Sequence, residues 1–147
     1  LMGDLAQAGS SWPPLLALAT ALTLAMPFAR ELNLLARGMM QAQALGVAVN
    51  RLRYAIFLLA SLATAASVTT AGSIGFVGLV VPHLVRLATG NDQRLLLPAS
   101  VLAGGSMLVL ADTLARTVIA PQQLPVGVLT ALIGVPVFLF LLSRQPK

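Results

Sequence analysis

Apolar runs long enough to cross a lipid bilayer follow one another along this chain, and that feature leaves few folds open to it. A helix rising about 1.5 Å per residue needs roughly 17 to 25 apolar residues to cross a hydrocarbon core of about 30 Å. Of the 147 residues, 58% are apolar and only 9% are charged, against roughly 25% charged in ordinary soluble domains. Water is therefore not the main solvent of this protein, and the pattern predicts an all-α polytopic membrane fold.

Five spans are expected. The first covers about 14–29, with Pro13 and Pro14 suited to a helix start and Pro27 near its end. The second covers 54–71. The third, 74–88, is short and holds Pro82, which predicts a kink or a partly unwound approach. The fourth, 95–120, is the longest, and the fifth covers 126–143 with Pro136 inside it. No repeat or low-complexity linker divides the chain, so residues 1–147 read as one membrane domain. The leading "LMGDLAQAGSSW" lacks the basic and apolar regions of a signal peptide. Five spans without a start methionine or a leading cytoplasmic segment read as the C-terminal part of a larger permease.

Basic residues set the orientation, because Lys and Arg accumulate in cytoplasmic loops. Arg30, Arg37, Arg51 and Arg53 lie between spans one and two, Arg86 and Arg94 around the turn between three and four, and Arg144 and Lys147 after span five. The opposite side holds Asp4 and Arg116. The C-terminus is therefore expected in the cytoplasm. The net charge of +5 does not point to nucleic acid, since the basic residues form no stripe and few aromatics accompany them. With no cysteine, neither disulfides nor thiolate metal sites are available.

Three stretches draw attention. In "LLARGMMQAQALGVAVNR" (34–51), Gly38 and Gly46 bracket a run of helix formers, as expected of a short, separately oriented helix on the cytoplasmic side. It reads either as an ordinary interfacial helix or as a docking surface, with the small Ala42 and Ala44 allowing close approach of a soluble partner. In "TTAGSIGFVGLVVPHLVR", Gly72, Gly75 and Gly78 recur every three residues, followed by Pro82 and His83. The glycines read as close helix packing or as a short turn entering the bilayer under protein cover. His83 has no second ligand at metal spacing, so it reads as a structural group or as part of a transport path or gate. In "LADTLAR", Asp112 and Arg116 share a helix face in the order that favours an ion pair. Arg116 lies roughly 32 Å along span four, at the outer surface, where it reads as an interface anchor or as a docking point for an acidic partner. No HExxH, G-x-S-x-G or Walker A sequence occurs. Catalysis and ATP binding by that loop are not indicated.

The stretch "GSIGFVGLVVPHLVRLATGNDQRLLLPASVLAGGSMLVLADTLAR", with "LPVGVLTALIGVPVFLFLLSR" after it, resembles the C-terminal part of the membrane permeases of ABC importers for iron-siderophores, haem and vitamin B12. "LLARGMMQAQALGV" is similar to the cytoplasmic segment of that family, with Gly38, Ala42, Leu45 and Gly46 on the matching positions. The resemblance runs from about Met2 to Arg144. It implies a subunit of about ten spans, of which these would be six to ten, in the bacterial cytoplasmic (inner) membrane. It further implies a second permease subunit, identical or homologous, two cytoplasmic ATP-binding subunits that hold ATP and Mg, and an extracytoplasmic binding protein that delivers the chelate. No cofactor belongs to this chain on that reading, and it is not itself an enzyme. Residues 35–50, with Leu35, Gly38, Met39, Ala42, Leu45 and Gly46, would couple to the ATPase. Where the family often has an acidic residue after the first glycine, Met39 stands here, which shifts that contact from charge toward packing. Arg116 matches a position that meets glutamates of the binding protein. The rival is part of an ion-coupled secondary transporter, which would place an ionisable cluster near the bilayer midplane; only His83 stands there.

Overall fold

A computed structural model describes residues 12–118 and 125–143. The chain forms α1 (Trp12–Ala25), a 3-10 turn (Met26–Phe28), α2 (Ala29–Ala36), α3 (Met39–Ala44), α4 (Val49–Ala71), α5 (Val77–Thr89), α6 (Gln93–Val118) and α7 (Val126–Ser143). The fold is all-α, as expected. Asp4, Arg144, Lys147 and the expected end of span four at Ala120 lie outside the described residues.

Among the described residues, four helical stretches are long and apolar enough to cross a membrane: Trp12–Ala36, Val49–Ala71, Gln93–Thr117 and Val126–Ser143. The first runs further than expected. Pro27 lacks an N–H and turns the helix 3-10 for three residues, but the chain resumes α-helical geometry and carries Arg30 and Glu31 on α2. The second begins at Val49 rather than residue 54, so Arg51 and Arg53 stand on its first turns. Both differences have one cause: long charged side chains at a span end can reach the aqueous interface without breaking the helix.

The remaining span is the exception. α5 has 13 residues, about 20 Å of helix, and the non-helical stretch 72–76 leads into it. Gly72 closes α4 at φ 72°, and Phe76 opens α5 in the left-handed region at φ 66°. Pro82 lies within α5. The expected irregular approach is therefore present.

In hydrocarbon, side-chain hydroxyls need partners as the backbone does. Several find them on their own helices: Thr20 donates to the Leu16 carbonyl at 2.8 Å, Thr64 to Ala60 at 2.7 Å, Ser67 to Ala63 at 2.8 Å and Thr113 to Val109 at 2.7 Å.

The helices pack as two groups. α1 lies along α4, while α5, α6 and α7 pack on one another, and α2 touches both groups through α4 and α6. A small core forms where Ala111 and Ala115 of α6 meet Val126 of α7. Much of the remaining apolar surface is exposed, including Leu62, Leu102, Val109 and Leu132, as suits helices whose outer faces meet lipid or further protein.

Glycines differ in what faces them within this chain. Around Gly75 and Gly78, a Cβ would meet nothing within 4 Å among the described residues. Gly134 of α7 is the intimate one: a Cβ there would stand 2.5 Å from Phe76 Cβ and 3.1 Å from its Cγ. The turn before α5 thus presses its left-handed phenylalanine onto the bare backbone of α7.

Gly134→Ala is expected to destabilise the protein by about 1–3 kcal/mol, the usual range for overpacking, read as a lowered Tm in detergent. Because the nearest clash is with a Cβ, Phe76→Gly should restore stability in the Gly134→Ala background better than Phe76→Ala does.

Candidate functional site

The end of the bundle that carries Arg30, Arg37, Arg51, Arg53, Arg86 and Arg94 is built from the α2–α3–α4 connection and the α5–α6 turn. Two glycines shape the first of these. Gly38 (φ 134°, ψ 144°) stops α2 and starts α3 in a conformation that is essentially glycine-only, and Gly46 (φ 84°) ends α3. Between them the chain makes little more than one turn and a half, held by Ala42 N–H to the Gly38 carbonyl at 3.0 Å, Leu45 to Gln41 at 3.1 Å and Val47 to Ala42 at 3.0 Å. A short helix, packed against α2 and α4, is set apart from both.

The two sides of α3 differ. Met40 is 84% exposed, Leu45 67% and Met39 43%, so three large apolar side chains stand outward at a polar end of the molecule. Ala42 has no accessible surface. It therefore does not offer a small outer surface to a partner, as expected of it from sequence; it seats α3 on its neighbours, and Ala44, which is exposed, takes the outer position. Leu35 is half-buried on α2.

Sequence reasoning missed the second part of this end. Asn33 of α2 donates from Nδ2 to Asp92 Oδ1 at 2.8 Å, and its Oδ1 accepts the Gln93 backbone N–H at 2.8 Å. Asp92 Oδ1 also accepts the Arg94 N–H at 3.0 Å. The first amides of a helix have no partner inside it. Here two side chains, one from another helix, take the first two of α6. The signal in the sequence was the pair Asn91–Asp92 after Gly90, a helix stop followed by an N-cap residue; nothing marked Asn33. The Asn33 amide, then the Arg94 backbone N–H and the Arg94 charge, hold the Asp92 carboxyl below its ordinary pKa.

At the far end of α6, Arg116 Nε donates to Asp112 Oδ2 at 2.8 Å. The ion pair expected from the spacing is present, with the Arg116 side chain 44% exposed. A pair of this kind contributes roughly 0.3–0.5 kcal/mol. Its meaning is therefore positional, a fixed cation at the helix end.

Pro82 and His83 are half-buried in the middle of α5. Among the described residues, no group of three or more His, Asp or Glu side chains could hold a metal ion. Open apolar clefts among the described residues include one of about 620 Å³ along α7 beside Ser73 and one of about 640 Å³ between α2 and α4 beside Arg53 and Tyr54. Neither gathers polar groups as a reaction centre would.

Known proteins share this architecture. The model of the FecCD transport family matches residues 1–144. The hemin transport system permease protein HmuU of Yersinia pestis is 46% identical over 98% of the chain, which covers 44% of that protein. The cobalamin import system permease protein BtuC of Halobacterium salinarum is 49% identical over 99% of the chain, which covers 39% of that protein. A solved metal-chelate type ABC transporter in an inward-facing conformation superposes with a TM-score of 0.85 at 36% identity, over 99% of this chain and 49% of that one. The chain is a multi-pass membrane protein that belongs to the FecCD transport family, and it spans less than half the length of these relatives.

The lowered pKa of Asp92 means that the folded state favours the carboxylate. Its contribution is present above the unfolded value of about 3.9 and is lost as pH falls through the lowered one. Exchange of the Gln93 and Arg94 amides, corrected for intrinsic rate, should stay slow from neutrality to about pH 4 and quicken below that. Asp92→Asn should flatten the dependence.

Proposed function

We propose that this chain forms part of the permease subunit of an ATP-driven importer in the bacterial cytoplasmic membrane. Its cargo would be a metal chelate of the iron-siderophore, haem or cobalamin type. The reaction in this chain is conformational: the helices alternate access while a partner subunit hydrolyses ATP with Mg. A second permease subunit completes the pathway, two ATP-binding subunits sit beneath it, and an extracytoplasmic binding protein delivers the chelate. The names of HmuU and BtuC support the cargo class, and the metal-chelate transporter supports the assembly.

The observation that carries this reading is α3. A helix of six residues hinged by two positive-φ glycines, presenting Met39, Met40 and Leu45 outward, is a compact apolar knob at the basic end of a membrane bundle. Methionine adapts its shape to a groove, which fits a contact that must survive movement of its partner. The orientation follows, with α3 and the C-terminus cytoplasmic. Arg116 then faces outward. Its ion pair with Asp112 uses Nε, and the terminal guanidinium nitrogens can meet a carboxylate of the binding protein.

Residues 72–76, Pro82 and His83 would take part in gating. The non-helical stretch 72–76 that leads into a short α5 supports this, because irregular backbone at membrane depth is tolerated where it lines a cavity or is covered by protein.

The test is co-purification of the full-length subunit with its cognate ATPase. Gly46→Arg should abolish the complex, but it also strains a left-handed turn. Ala44→Arg adds the same bulk at a helical, exposed position, and it should raise Kd for the ATPase at least about tenfold, or ~1.4 kcal/mol. If no ATPase binds the wild type, or both variants bind unchanged, the coupling role of residues 35–50 is refuted. In a parallel measurement, Arg116→Ala should slow association of the binding protein about tenfold at low salt and leave ATPase binding intact.

A further inference from the structure

The first two amides of α6 are held by side chains from both sides of a helix junction: Asn33 from α2 and Asp92 from the turn. α2 is also the element that packs against α6 from the α1–α4 group, so this three-bond clasp sits where the two groups meet. On its other side α2 leads within two residues into α3, and α3 packs on α2 and carries the fully buried Ala42. From the clasp, α6 runs as one helix to Arg116, roughly 35 Å away at 1.5 Å per residue. One continuous element therefore joins the α3 end of the molecule to the Asp112–Arg116 end, and at the α3 end the Asn33 side chain adds hydrogen bonds to the packing of α2 on α6.

We propose that Asn33 and Asp92 are positioning residues for coupling: they fasten α6 to α2, so that displacement of α3 is delivered to α6 and through it to the outer end of the bundle. This rests on the importer reading above. Neither residue touches nucleotide or cargo on this account, and their loss should not stop hydrolysis. What should fall is the work obtained from it. α4 follows α3 directly along the chain, so a movement of α3 reaches the α1–α4 group in any case; the clasp shares it with the other group.

The test uses the complete transporter in liposomes, with the full-length subunit, its ATPase and its binding protein, and haem and cobalamin offered in turn. ATP hydrolysis and uptake are measured together. Asn33→Leu removes both bonds made by the Asn33 side chain. Asp92→Asn keeps all three, since an amide oxygen can accept from Asn33 and from Arg94 as the carboxylate does. Asn33→Leu should assemble and hydrolyse ATP within about twofold of wild type, yet move at least about fivefold less cargo per ATP, the lower edge of common coupling energies. Asp92→Asn should stay within about twofold of wild type. Equal cargo per ATP in Asn33→Leu and wild type overturns the proposal. An equal fall in Asn33→Leu and Asp92→Asn also overturns it, because charge rather than attachment would then be at work.

If Asn33→Leu fails to assemble, the isosteric Asn33→Asp takes its place, setting two carboxylates against each other. Its loss of cargo per ATP should be reversed in the Asn33→Asp/Asp92→Asn double variant, where the amide introduced on the turn can donate to the carboxylate introduced on α2, and failure to reverse overturns the proposal. Wild-type complex that hydrolyses ATP but takes up neither cargo refutes the haem and cobalamin cargo of the importer reading; the clasp is then judged on stimulation of ATPase by the binding protein, which Asn33→Leu should abolish and Asp92→Asn preserve. Wild type that binds no ATPase at all overturns both.

Discussion

Hydrocarbon offers no hydrogen bonds, and the rest of this structure depends on that deficit. Each backbone donor and acceptor within the spans must be paired inside its own helix, which is why the long elements are helical, tightening to 3-10 only around Pro27 in the first span, and why several threonine and serine hydroxyls turn back onto carbonyls a turn earlier. Helix ends leave donors and acceptors unmatched, so the chain places its terminations near the polar boundaries, where water or a side chain can meet them. The clasp of Asn33 and Asp92 on the first amides of α6 is the most specific answer to that demand in the molecule. The stretch 72–76 is its most conspicuous exception.

Association between the helices follows a second rule. Lipid is as apolar as leucine, so burial from water does not drive spans together and packing must do so. Small residues then matter where two backbones meet. The described core is modest, with Ala111, Ala115 and Val126 at its centre, and Phe76 packs tightly over Gly134. Glycine serves two separate purposes here: Gly38 and Gly46 supply conformations that other residues resist, whereas Gly134 supplies room.

Much of this was legible in the sequence because length and apolarity speak directly about spans. The all-α fold, the short third span and the Asp112–Arg116 pair needed only local spacing. Span ends were less legible. Arg30, Arg51 and Arg53 read as loop residues by charge, yet they stand on helices whose side chains reach the interface. Whether a glycine is packed depends on what lies opposite, and Gly134 carries no local mark. Asn33 is the clearest case of this kind, since its partners come some sixty residues later. Ala42 shows the same limit in reverse: small size was visible, the direction it faces was not.

The contact between Phe76 and Gly134 also has a temporal side. A chain made from its N-terminus delivers the 72–76 turn to the bilayer before α7 exists, so Phe76 must wait in a backbone conformation it disfavours, or in another one, until the surface that holds it arrives. Insertion of α7 then supplies the bare backbone at Gly134 against which Phe76 packs. α7 thus acts as a bolt on the 72–76 turn, and a chain arrested before that helix would retain its earlier spans while lacking its finished turn.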